Sequence, residues 1–257
     1  MPRKAPDLQD YALIEDAAAA AAAGIRTSLP SNDMSLGPFV ETVVLRKSFT
    51  SLLMDGRGGD RHQLLSRASK SDAAAAYAPG LGAFFLGEAG VKSSNSSLLY
   101  GEALARAVAA EGLSAGASSL LKGATLELLT NIHEHAGGGA RGISLFETFA
   151  GGVELCVADA GQGVVAGYVS ANPQLEGITA ERALTKALVE HESRLPGGRG
   201  TGYKTVANAM RSLDATMRVR SGDASLEIEG HPSEAEWLSR EQVELRGFVV
   251  SITLRWS

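Results

Sequence analysis

Residues 117–139, ASSLLKGATLELLTNIHEHAGGG, carry two lines of side chains at helical spacing, one apolar and one polar. Leu121, Ala124, Leu128 and Ile132 recur at steps of three and four, the stripe of a helix that buries one face. Beside it Glu127, Asn131 and His135 follow at steps of four, so an acid, an amide and an imidazole stack along one edge. Three glycines, Gly137, Gly138 and Gly139, end the helix just beyond them. A polar line bordering a buried one reads as a site rather than a solvated face.

The segments around this helix fall into a regular order. Leu99, Ala103, Leu104, Ala107 and Val108 make a preceding helical stripe that Gly112 ends. RGISLFETFA and VELCVADA follow as strands joined at Gly151-Gly152, a dipeptide suited to a hairpin turn. The second strand ends in Asp159-Ala160-Gly161-Gln162-Gly163, a carboxylate followed by glycines that let the backbone turn tightly. Residues 179–190 read as a capped helix, and 191–196 as a loop into GGRGTGYKTVANAM. There Gly198, Gly200 and Gly202 alternate with Arg199 and Thr201 ahead of a helix with the stripe Val206, Met210 and Leu213. Backbone N–H groups exposed at such a helix start suit phosphate. Residues 215–221, 224–230 and 247–256 read as strands, with a turn at Gly222-Asp223 and a loop over 231–246.

Composition narrows what this order can serve. A formal charge of -5 and a pI near 5.6 argue against coating nucleic acid or an acidic membrane. One cysteine in 257 residues, Cys156, forms no internal disulfide; it reads as a core residue of a chain in a reducing cytoplasm. The alanine run 17–23 follows Glu15 and Asp16 and stops at Gly24, which predicts a short helix rather than a targeting signal. No segment approaches the roughly 20 apolar residues of a membrane span.

Residues 1–95 form a region of unknown role with partner recognition as one use, and the boundary falls near residue 95. Residues 38–49, rich in valine and phenylalanine, predict a strand. A glycine-rich turn then leads into a basic helix over 61–70, whose Arg61, Arg67 and Lys70, with Arg57 before it, read as a solvated face. His62 reads as a surface histidine rather than a phosphoacceptor.

ExxxN on a helix, DxGxG after a strand, GxGxG before a helix, and a closing strand hairpin appear here in one order. In that order residues 98–257 resemble the GHKL ATPase superfamily, which takes in DNA gyrase, heat-shock-90 chaperones, histidine kinases and mismatch-repair ATPases. The resemblance implies an α/β fold for residues 96–257, a Bergerat-type two-layer sandwich of a mixed, mostly antiparallel sheet covered by helices, preceded by a smaller N-terminal α/β region. It implies ATP and Mg²⁺ as cofactors. Carried over by residue, Asn131 would hold the magnesium, Glu127 would be the general base, and His135 would touch phosphate. Asp159 would accept the adenine amino hydrogen, with Gly161 and Gly163 shaping the pocket. Gly198, Gly200 and Gly202 would form the phosphate lid with Thr201 among them, and Arg199 or Lys204 would reach the phosphates.

Two positions depart from the family pattern. The closing strand has Gly247-Phe248 where Gly-Thr is usual, so the water-mediated adenine contact is absent or comes from Ser251 or Thr253. After the last lid glycine stand Tyr203 and Lys204 rather than leucine. Without a phosphoacceptor helix pair, the chain looks more like the stand-alone branch that includes anti-sigma-factor serine kinases. The expected activity is a regulatory protein kinase or switch acting on a protein partner. The alternatives are a conformational ATPase that dimerises and a nucleotide sensor without turnover.

Overall fold

All eight residues of the strand Gly152–Asp159 are buried, so neither face of its sheet meets water there and both need a cover. The computed structural model describes residues 11, 13, 16, 35–45, 59–71, 74–86, 94–135, 142–190, 202–228 and 237–257. They form helices α1 (Leu36–Leu45) and α2 (Asp60–Lys70), strands β1 (Ala75–Ala78) and β2 (Leu81–Leu86), and helices α3 (Ser94–Ala110) and α4 (Ala115–His135). The hairpin β3 (Gly142–Phe149) and β4 (Gly152–Asp159) follows, then helices α5 (Gly163–Ala171), α6 (Ala180–Leu188) and α7 (Gly202–Ser212), and strands β5 (Thr216–Ile228) and β6 (Trp237–Arg255).

The strands make one six-stranded sheet in the order β1-β2-β3-β4-β6-β5, and every described pairing is antiparallel. The expected α/β architecture, helices over a largely antiparallel sheet, is therefore observed. Along β4, Val153, Leu155 and Val157 face Leu121, Leu128, Leu184, Val206 and Met210 of α4, α6 and α7. The intervening Cys156 and Ala158 face the other way, into a second core with Leu36, Val40 and Val44 of α1 and Leu64 and Leu65 of α2. Helices thus lie on both faces. Residues before and after position 95 share this sheet, because β2 pairs along its length with β3.

Residues 38–49, expected as a strand, are helical as far as Leu45, and 46–49 lie outside the described residues. Leu36, Val40 and Val44 repeat every fourth residue and are all buried, so the helical period outweighs the strand preference of valine. Pro38 is tolerated because it lies in the first turn, where N–H groups have no helical partner. At the closing strands, Gly222-Asp223 is no hairpin turn: β5 runs through it with register shifts on either side of Gly222, whose φ is +62°. The expected loop at 231–246 is strand from residue 237 onward. The hairpin at Gly151, the Thr179 cap on α6 and the buried face of α7 are as expected.

Buried charge ties α1 to the sheet. Glu41 accepts from Arg218 Nε at 2.9 Å and Arg220 Nη1 at 2.6 Å, all three side chains at most 5% exposed. Arg218 also pairs with Glu227 and donates to Ser225 and Gln242. Removing one partner of such a pair leaves an uncompensated charge and costs about 3–5 kcal/mol. Arg61 of α2, expected on a solvated face, is buried and paired with Glu147 of β3 at 2.5 Å. Arg67 and Lys70 are exposed, and Arg57 lies outside the described residues. His62 is half-buried, edge-on to Phe39 at 4.9 Å. Among the described residues no helix is long and apolar enough to cross a membrane. The alanine run 17–23 lies outside them.

Candidate functional site

The end of the sheet under α4 presents a row of side chains on one face. Gly142 of β3 pairs with Asp159 of β4, and Asp159 pairs with Phe248 of β6. Paired residues point to the same side, here the side of α4 and α7. Ile132 of α4 sits over Gly142, where an added Cβ would lie 2.8 Å from Ile132 Cγ2. Gly142 therefore lets the C-terminal turns of α4, carrying Asn131, approach the strand end that carries Asp159.

The loop beyond Asp159 is tightly determined. Asp159 is 5% exposed, and its Oδ1 accepts the Gly161 N–H at 2.8 Å, closing a turn on the acid itself. Gly163 (φ +74°) and Gly247 (φ +108°) adopt left-handed backbone. A Cβ on Gly163 would lie 3.0 Å from Ser221 Oγ, and one on Gly247 would overlap the Asp159 carbonyl. Ser221 Oγ accepts from Val164 N at 3.0 Å and donates to the Gly247 carbonyl at 2.6 Å, joining the start of α5 to β6. Ser221→Ala leaves both backbone groups unpaired in a buried place, and we expect a loss of about 2 kcal/mol in urea unfolding.

At the roof, the start of α7 lies against the polar line of α4. A Cβ on Gly202 would overlap Glu127 Oε1 and lie 3.1 Å from Asn131 Nδ2. Glycine here lets the helix N-terminus reach those two side chains. Glu127 is part-buried. Asn131 is 9% exposed, and its buried Nδ2 has no hydrogen-bond partner among the described residues. A buried amide group left without a partner costs about 1–3 kcal/mol. Tyr203, next after Gly202, packs on Phe248 with ring centroids 5.4 Å apart.

These contacts form a closed ring: Asn131 and Glu127 to Gly202, Tyr203 to Phe248, Phe248 beside Asp159, Asp159 to Gly142, and Gly142 back to Ile132 beside Asn131. Glu127 and Asn131, Asp159, and Gly202, drawn from the three motifs picked out along the chain, thus meet around one end of the sheet. No family model and no curated protein matches the chain. The geometry of this end of the sheet is thus the ground for any functional reading.

Other expected site residues fall differently. His135 belongs to the last turn of α4, but its side chain lies outside the described residues, as do Gly198, Arg199, Gly200 and Thr201. Lys204 is exposed in the first turn of α7. Ser251 and Thr253 do not face the α4 side of the sheet. Alternation along β6 puts them on the α1 side, where a Cβ on Gly37 would lie 2.7 Å from Ser251 Oγ. Phe248 alone of these three stands beside Asp159 on the α4 side of the sheet. Cys156 is buried within 3.4 Å of Ser251 Oγ, and burial pushes its thiol pKa up, as befits an unreactive core residue. Ser221, Gly142 and the contact between Tyr203 and Phe248 were not legible as site features. Ser221 carried no signal, since a serine within a strand run is unremarkable until the strand's partner is known.

Proposed function

We propose that the chain is a Mg²⁺-dependent ATP-binding protein of the histidine-kinase-like ATPase type, acting as a regulatory protein kinase or switch on a protein partner. The observation that carries this is the buried amide nitrogen of Asn131, without a partner among the described residues, set beside Glu127 and the N-terminus of α7 at the end of the sheet that also holds the buried Asp159.

The residues fit the cofactors. Among the described residues no three His, Cys, Asp or Glu side chains gather as a metal site of their own. Mg²⁺ needs few protein ligands when phosphates and waters complete its shell. An amide can turn to present oxygen, so Asn131 would hold the ion, and the ion would neutralise phosphate charge. The start of α7 offers a positive helix end to an anion beside Asn131. Glu127, one turn before Asn131, would take the proton of the attacking water or hydroxyl on its carboxylate. Asp159 would accept the adenine amino hydrogen; guanine has a carbonyl there and would meet the carboxylate with repulsion. Lys204, Arg199, Thr201 and His135 would supply further polar contacts to the phosphates. The charge of -5 favours a protein partner over nucleic acid, and the buried Cys156 accords with a cytoplasmic setting.

Incubating the full chain with γ-labelled ATP and Mg²⁺, alone and with proteins recovered by pull-down, tests the reading. Label transferred to a partner is the expected result. Free phosphate without transfer would make the chain a conformational ATPase, and retained, unconverted ATP would make it a sensor. Absence of any bound label would overturn nucleotide binding itself.

A further inference from the structure

Tyr203 and Phe248, the two departures from the family pattern, touch each other: their rings lie 5.4 Å apart, inclined at 46°. Phe248 pairs with Asp159 across the ladder, and its side chain is 9% exposed. Tyr203 packs over the same core and is half-buried. A carboxylate can read the edge of a planar heterocycle by accepting its N–H, whereas aromatic side chains hold such a ring by its face. Phe248 stands directly opposite Asp159, and paired residues of antiparallel strands have Cβ atoms about 4.5–5.5 Å apart.

We propose that Tyr203 and Phe248 are the stacking residues for a nucleobase whose edge Asp159 reads, a specificity role that rests on the nucleotide reading above. At position 248 ring contact takes the place of a polar, water-mediated one. Base selection then depends on one carboxylate plus aromatic area. Ser251 and Thr253, turned to the other face, take no part. Tyr203 is also one residue from Gly202, so the ring that would hold the base lies next to the glycine that admits Glu127 and Asn131.

Intermolecular NOE spectra and titration calorimetry on the full chain with Mg-ATP test this. NOEs from adenine H2 or H8 to Tyr203 and Phe248 ring protons are expected. Tyr203→Ala is expected to weaken ATP binding about ten- to a hundred-fold, and Tyr203→Phe, which keeps the ring, to leave it near wild type. Tyr203 is half-buried, so its variants should fold; an unchanged melting temperature checks that. Bound ATP with no NOE to either ring, or wild-type affinity in Tyr203→Ala, would overturn the stacking role and leave nucleotide binding standing. Wild-type chain that binds no ATP would overturn both.

Discussion

Asn131→Ala should abolish Mg²⁺-dependent ATP binding, lowering affinity at least about a hundred-fold, while the chain without nucleotide unfolds at the same urea concentration or a higher one. The two halves of this result have one cause. Asn131 holds a buried Nδ2 with no partner among the described residues, which weighs against the empty fold. Removing it takes that penalty away and leaves a small cavity, so the net change in stability is within about 1 kcal/mol of zero or favourable. A residue kept for packing would behave in the opposite way. Its loss would lower stability and would affect nucleotide binding only through unfolding. Calorimetry and urea unfolding on the same preparation separate the two cases. A clear fall in stability with ATP affinity retained would remove Asn131 from the site.

Glu127→Ala should leave ATP affinity within about three-fold of wild type and lower turnover about a thousand-fold, within the range general bases contribute. Glu127 is part-buried and stands against Gly202 at the N-terminus of α7, where phosphate would lie. Its carboxylate would repel a phosphate bound there, so ground-state binding would gain nothing from it. In the proposed reaction it would accept a proton once the nucleophile is in place. Single-turnover measurement with labelled ATP reads the chemical step apart from binding. Full hydrolysis in Glu127→Ala would assign the base elsewhere. A matching loss of affinity would make Glu127 a binding residue.

How far the chain could be read from its sequence followed the reach of each signal. Periodicity is local, so the α4 stripe, the β3–β4 hairpin and the Thr179 cap of α6 were readable and are present. The same locality explains the misreadings. Val40, Val43 and Val44 favour a strand by type, and only the core contributed by β4 and β6 shows that Leu36, Val40 and Val44 bury one side of a helix. Arg61 looked solvated because its partner Glu147 is 86 residues away. Gly222 looked like a turn because a bulge in a long strand needs the same positive φ. In the site, Glu127, Asn131 and Asp159 stood out by residue type and spacing. Ser221 and the contact of Tyr203 with Phe248 did not, since each depends on β5 or α7 returning to β6.

Titration calorimetry of the full, folded chain with ATP and Mg²⁺ bears most directly on the account. It predicts saturable heat at one nucleotide per chain, abolished when the metal is chelated and much reduced when GTP replaces ATP. No heat with Mg-ATP, from protein whose circular dichroism shows the α/β fold intact, would contradict it.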